Sequence, residues 1–392
     1  MNRKVITFLG IKPRDAVYEW KGKTYPAKVT AQAIREFAQF DEMLVLVTPD
    51  AKTQTFPLLA HLGDDRILPI DIVDGKDTES MWEIFQTVVD NVDEDETVIF
   101  DITHGFRSLP FLAFLFIAYL KSAKNVTIEA VYYGAWEMQK DGVTPILDLT
   151  EFVTMLDWLT AVNEFVYTGN ARYLAQELNI REQPQLRPLA ENVSEISLGL
   201  ELLRPRDVAK ASQEISQHLE SASDILPKPF GVVAQSLKTA YTQFGLQNSN
   251  DAKEHLRVQL RMIKWYCEKQ QFVHTLSMAR EWLVSLLCVE FNLDLWDKNC
   301  REEMEFLLNG GVRKENVVII KESPYLEVWK QKQYRKRLNR LWCGEPYELA
   351  NLRNDVLHSG FRKNPELAAA IVTQIEKIVN EVNEIAKIWG LV

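Results

Sequence analysis

Two clusters of residues could do chemistry. Near the C-terminus, within "LANLRNDVLHSGFR", Arg353 and Asn354 stand side by side and His358 follows about one helical turn later. Histidine can exchange a proton with a ribose hydroxyl or a leaving oxygen near neutral pH, and arginine can stabilise the charge of a pentavalent phosphate. The pair therefore suits phosphodiester cleavage. No carboxylate cluster accompanies it, so a two-metal mechanism finds no ligands in this stretch. Glu345-Pro346 can open a helix here and Gly360 can stop it, with Leu349, Leu352 and Val356 as its apolar stripe. Asn354 and His358 fall on another face, as i,i+4 neighbours. Taken alone, the pattern also fits a histidine that caps a helix C-terminus, where the helix dipole favours it.

The second cluster is "DITHGFRSLPF", Asp101 to Phe111, placed where an apolar strand ends and an apolar helix begins. In a doubly wound sheet that strand edge is the usual ligand crevice. The helix N-terminus offers free N–H groups and a partial positive charge, both suited to phosphate. Gly105 permits close backbone approach, Thr103 and His104 offer hydrogen bonds, and Arg107 offers a fork for a phosphate. Ser108 and Pro110 read as a cap and first turn. Other strand ends fall at the same edge: Gly10 and Lys12 after the first strand, Thr48 after the second, and Gly134 after "EAVYY". Each residue singly also fits local capping or backbone satisfaction. No G-x-G-x-x-G follows the first strand, which disfavours a dinucleotide oxidoreductase.

A third stretch, "WKQKQYRKRLNRLW", interleaves Lys330, Lys332, Arg335, Lys336, Arg337 and Arg340 with Trp329, Tyr334 and Trp342. Such a pattern can track a phosphate backbone while aromatic rings stack on bases. It fits a solvated basic helix face equally well.

The elements that must position these groups fall into two classes. Through residue 150, apolar β-branched runs ("KVITFLG", "MLVLVT", "RILPIDI", "TVIFDI", "VTIEAVYYG", "TPILDL") alternate with helical patterns. Strands apolar throughout are buried on both faces, which implies a mostly parallel Rossmann-like α/β sheet. The run from Leu109 to Leu120 reads as a buried core helix and is shorter than the ~20 residues a bilayer needs. After residue 150 strands nearly cease. Phe272, Leu276, Ala279, Leu283 and Leu286, and again Ile371, Ile375, Ile378, Val382 and Ile385, mark helices of a bundle. "VVII" at 317–320 reads as a short inserted strand. The expected division is a Rossmann-like α/β domain at 1–150, an all-α connector at 151–260 and an all-α domain at 261–392.

With 392 residues the chain needs more than one core. Its net charge of −10 excludes a general nucleic-acid coat protein but leaves room for a local basic channel. Four dispersed cysteines without C-x-x-C fit a reduced cytoplasm and offer no zinc framework, and "MNRKVITFLG" reads as a strand, not a leader.

In this combination the chain resembles the CRISPR-associated ribonucleases of type III systems that join a CARF sensor to a HEPN domain. "DITHGFR" looks like the signature after the family's fourth strand, and "RNDVLH" fits the HEPN pattern R-x(4–6)-H. "LSMAREWLVSLL" looks like an early HEPN helix. The resemblance covers both ends of the chain, and the middle matches least. It implies a homodimer whose CARF domains bind a cyclic oligoadenylate, with four adenylates favoured. It implies paired HEPN domains that cleave single-stranded RNA without metal or other cofactor, leaving a 2′,3′-cyclic phosphate and a 5′-hydroxyl. Arg353 and His358 would perform the chemistry and Asn354 would support their geometry. Thr103, His104, Gly105 and Arg107 would line the activator pocket with Gly10, Lys12 and Thr48. Lys332, Arg335, Lys336, Arg337 and Arg340 would meet the RNA. No membrane is implied. Two other readings stay open: a ligand-sensing transcription regulator, and a sensor that also degrades its cyclic activator.

Overall fold

The computed structural model describes residues 2–105, 109–180, 183–226, 230–315, 318–361 and 365–392. It forms two compact units, 1–157 and 158–392. The first has strands β1 (Arg3–Leu9), β2 (Ala16–Trp20), β3 (Lys23–Ala27), β4 (Glu42–Val47), β5 (Ile67–Asp71), β6 (Thr97–Asp101), β7 (Thr127–Gly134) and β8 (Val143–Asp148). Its helices are α1 (Thr30–Phe37), α2 (Pro49–Gln54), α3 (Pro57–Ala60), α4 (Thr78–Asp90) and α5 (Leu109–Lys124).

The sheet order is β3-β2-β8-β7-β6-β1-β4-β5. From β7 to β5 all neighbours are parallel, β8 runs antiparallel to β7, and β2 and β3 form an antiparallel hairpin beyond it. Alternation along the strands supplies both faces. Ile6, Phe8, Leu44, Leu46 and Phe100 pack with Ile84, Val88, Phe116 and Leu120 of α4 and α5. Val5, Leu9, Met43, Val45 and Ile99 pack on the other face with Ile34, Ala51 and Leu59 of α1 to α3. The N-terminal unit is thus the expected Rossmann-like fold. After β1 the chain builds β4 and β5 on one side, then returns to place β6 on the other. The crevice of a doubly wound sheet opens at such a reversal, between the C-terminal ends of β1 and β6.

Two features differ from the sequence reading. The β2–β3 hairpin was not expected. Its turn, Lys21-Gly22, has φ of 51° and 80°, as a two-residue hairpin turn needs. Pro26 sits in β3, the sheet's outermost strand, where a missing N–H is tolerated. The apolar run of α5 is not wholly buried either. Leu112, Ala113, Phe116, Ile117 and Leu120 face the sheet, but Phe111, Phe114, Leu115 and Tyr119 are exposed, Phe111 to 69%.

Helix α6 (Thr150–Thr168) spans the division between the units. Beyond it come α7 (Arg172–Ile180), α8 (Arg187–Glu201), α9 (Pro205–Ala222), α10 (Phe230–Tyr241), α11 (Ala252–Glu268), α12 (Phe272–Glu290) and α13 (Lys298–Leu308). A hairpin of β9 (Val312–Glu315) and β10 (Val318–Glu322) precedes α14 (Leu326–Gln331), α15 (Arg335–Cys343), α16 (Leu349–Leu357) and α17 (Ala368–Ile388). One continuous core runs through this helical unit. The stripes Leu276, Ala279, Leu283, Leu286 and Ile375, Ile378, Val382, Ile385 lie inside it. Residue 260 lies within α11, so a break in the chain path here falls at an end of that helix. By length and composition α12 could cross a membrane, but it is mostly buried by its neighbours, packing against α11, α13, α16 and α17.

Candidate functional site

At the C-terminal edge of the sheet, β6 ends on Asp101, whose carboxylate is fully buried. It accepts from Thr7 Oγ1 (2.7 Å), from Thr103 N–H (3.0 Å) and from Thr103 Oγ1 (2.5 Å). Thr103 Oγ1 in turn accepts from the Gly134 N–H at 2.7 Å. These bonds tie β1, the loop after β6 and the end of β7 into one network. Gly134 is required by this closeness: a Cβ there would lie 2.9 Å from Tyr18 Cε1, 3.1 Å from Thr30 Oγ1 and 3.2 Å from Thr103 Cγ2.

His104 continues the network. Helix α1 has Val29 at its N-cap, which has no side-chain acceptor. The Thr30 N–H instead donates to His104 Nε2 at 3.1 Å, with Thr30 Oγ1 also 3.1 Å away. An Nε2 that accepts an N–H carries no proton, so the neutral ring holds its proton on Nδ1. Burial pushes the His104 pKa down; Asp101 opposes this and Arg14 adds to it. The imidazole is therefore held neutral.

Beside this network lies a cavity of about 530 Å³ lined by Phe8, Leu9, Gly10, Ile11, Leu46, Thr48, Asp50, Ile72, Asp74, Gly75, Lys76, His104 and Gly105. The structure thus brings Gly10, Thr48, His104 and Gly105 together, with Thr103 immediately behind them. Thr48 also serves locally, its Oγ1 accepting from the Ala51 N–H at the start of α2 (3.3 Å). Lys12 is exposed and lies outside the cavity wall. Arg107 and Ser108 fall outside the described residues. Sequence reasoning missed Asp50, Asp74 and Lys76, the last bonded to Asp74 at 2.6 Å. The Asp74-Gly75 turn, with Gly75 at φ 63°, was the available signal.

The second site lies in the helical unit. Helix α16 begins at Leu349, with Glu348 in the left-handed region at φ 46°. It ends where Ser359 and Gly360 turn to φ 58° and 67°, the Gly360 N–H returning to the Asp355 carbonyl at 3.0 Å. Gly360 is the expected stop. Leu349 and Leu352 are buried, Val356 is half-buried, and Asn354 and His358 are exposed. His358 is the C-cap residue, its N–H bonded to the Asn354 carbonyl at 2.9 Å.

Arg353 is half-buried. Its Nη1 donates to Asn354 Oδ1 at 3.1 Å, while its Nε is buried without a hydrogen-bond partner. Burial, and then the Arg280 guanidinium on α12, lower its pKa from the ordinary value, opposed by Glu281 and Glu305. A like charge on the helix packed against α16 and an unmet buried donor are costly to the fold, and such groups mark functional sites. Arg280, Glu281 and Glu305 were not singled out from sequence.

The basic stretch differs from its sequence reading. Trp329 and Trp342 are fully buried in the core and cannot stack on a base. Lys332 is paired with Glu290, and Arg337 grips Glu381 through two nitrogens. Arg340 donates to the Glu345 carbonyl (2.9 Å), whereas Lys336 is exposed and Arg335 half-buried.

Three comparisons bear on these sites. Residues 74–137 match the model of the CARF domain of the CRISPR system endoribonuclease Csx1. Residues 154–248 match the second domain of CRISPR-associated protein MJ1674. That protein, from Methanocaldococcus jannaschii, is 24% identical over 318 residues, covering 78% of this chain but only 45% of the relative's length. Among solved structures, Csm6 of Enterococcus italicus bound to cyclic hexa-2′-fluoro-hexa-dAMP shares the fold with a TM-score of 0.50. Its identity is 10%, and the match covers 100% of this chain and 95% of that one. The chain thus pairs a Rossmann-like sheet, within which residues 74–137 are similar to a CARF domain, with a helical region similar to a CRISPR-associated protein, and shares the fold of Csm6.

Proposed function

We propose that this chain is an endoribonuclease switched on by a cyclic oligoadenylate, with the helices from α11 onward acting as a HEPN domain. It cleaves single-stranded RNA in the cytoplasm without metal, leaving a 2′,3′-cyclic phosphate and a 5′-hydroxyl, as part of type III CRISPR defence. The observation that carries the reading is Arg353, half-buried and with an unmet donor, five residues before an exposed His358 that caps the same helix, in a chain whose residues 74–137 match a CARF domain. A guanidinium that no carboxylate holds among the described ion pairs has the fork geometry to receive a phosphate, and the imidazole can exchange the proton.

The activator would occupy the cavity at the ends of β1 and β6, with Arg107 and the start of α5 meeting its phosphates. In a two-fold homodimer, each subunit offers the same edge to half of the ring, so an even number of adenylates is matched and three are not. The ring seen on Enterococcus italicus Csm6 has six units; four remains the favoured size here. The exposed Phe111, Phe114, Leu115 and Tyr119 supply the kind of apolar face that pairing covers. Lys336 and Arg335 are the residues of the basic stretch best placed for RNA, since Lys332 and Arg337 already hold carboxylates. That pairing also weakens the DNA-binding alternative. The test is RNA cleavage across purified cyclic tri-, tetra- and hexa-adenylate. Activation best with the trimer would overturn the shared-pocket reading, and no cleavage with any ring would overturn the function.

A further inference from the structure

Helix α16, which carries Arg353, packs against α12 with Glu281, and α12 packs against α13 with Glu305, yet among the described ion pairs neither carboxylate holds Arg353. Glu281 and Glu305 both act on Arg353 electrostatically. The reason they stay away is visible on the α12 side. Arg280, whose side chain is 16% exposed, bonds Glu281 through Nη1 and Glu305 through Nη2. Its guanidinium also lies 5.3 Å from the centre of the buried Trp342 ring, within cation–π range. Glu281 has a second holder: Arg301 on α13 donates to its Oε2 at 2.7 Å and is itself fixed by the Ser285 hydroxyl and the Leu295 carbonyl, both at 3.0 Å. Glu305 has no partner of this kind beyond Arg280 among the described ion pairs.

We propose that Arg280 is a positioning residue of the nuclease site: by gripping Glu305 and Glu281 it keeps both carboxylates off Arg353, whose guanidinium stays open to the scissile phosphate. This rests on the ribonuclease reading of Arg353 and His358. Without Arg280, Glu305 is freed in the neighbourhood of an under-paired arginine. An ion pair with Arg353 then forms in place of the contact with RNA. Arg280 acts through Arg353 and need not touch substrate.

The consequence is a rescue that a structural role would not give. Arg280→Gln should raise KM for single-stranded RNA and lower kcat/KM by ~10- to 100-fold, the worth of a charge-assisted hydrogen bond. Adding Glu305→Gln to that variant should recover most of the loss, because the competing carboxylate is gone. Melting curves report folding, and if Arg280→Gln does not fold, Arg280→Lys with and without Glu305→Gln replaces it, with the same recovery expected. Wild-type kcat/KM in the single variant overturns the proposal, and so does a double variant no better than the single. Wild-type protein that cleaves no RNA, or cleaves as well with Arg353→Ala, instead marks failure of the ribonuclease reading itself.

Discussion

Thr103→Val isolates the network that shapes the candidate activator pocket. Valine keeps the shape of threonine and deletes one oxygen. That oxygen donates to Asp101 Oδ1 and accepts from the Gly134 N–H. Its removal orphans the Gly134 N–H and takes one donor from a fully buried carboxylate, which retains the Thr103 N–H on the same oxygen. Leaving a buried group unsatisfied costs ~1–3 kcal/mol, and with Asp101 only partly deprived the total is ~2–4 kcal/mol. In a unit of this size each kcal/mol moves Tm by roughly 2–4 °C, so calorimetry should find the first unit melting ~4–15 °C lower. The loop bearing His104 is held by the same bonds, so activator affinity by titration calorimetry should fall about tenfold or more, each 1.4 kcal/mol being a factor of ten. Unchanged Tm together with unchanged affinity would refute the claim that this network holds the pocket.

Gly134→Ala should destabilise the same unit by ~1–3 kcal/mol in urea unfolding, because its Cβ would meet Tyr18 at 2.9 Å. Arg353→Ala and His358→Ala should each lower RNA cleavage by ~10²–10⁴-fold; Tm should be unchanged for the exposed His358 and not lowered for Arg353, whose half-buried guanidinium carries an unmet donor. Acid should weaken the first unit through His104. The native pKa is depressed, so the unfolded chain binds the extra proton first; the stability is fully present above about pH 6.5 and is lost as pH falls from there through the lower native value. A pH series of Tm should therefore converge for wild type and His104→Ala on the acid side.

The sheet was legible because its central strands are buried on both faces, and "VITFL", "MLVLV" and "VIF" leave no polar side to mislead. The β2–β3 hairpin was not, since it is short, charged at Glu19, Lys21 and Lys23, and holds a proline. Its K-G turn was the clue. Thr103 and His104 were identifiable from their place at a strand end, but their partners Thr30 and Gly134 are distant in sequence and only the fold unites them. Asp50 and Asp74 reach the cavity from two other strand ends for the same reason. The basic stretch misled in a particular way. Lysine and arginine read as free surface charge until Glu290 of α12 and Glu381 of α17 arrive opposite them. The apolar stripe of α12 identified a core helix, and gave no sign that Arg280 on that helix would face α16, which carries Arg353.

The most direct measurement is the rate of cleavage of a labelled single-stranded RNA by the purified chain in EDTA, with and without cyclic tetra-adenylate. Strong stimulation by the ring, products ending in a 2′,3′-cyclic phosphate, and loss of both with His358→Ala are expected. Intact RNA under every condition, or cleavage that requires added metal and survives His358→Ala, would contradict it.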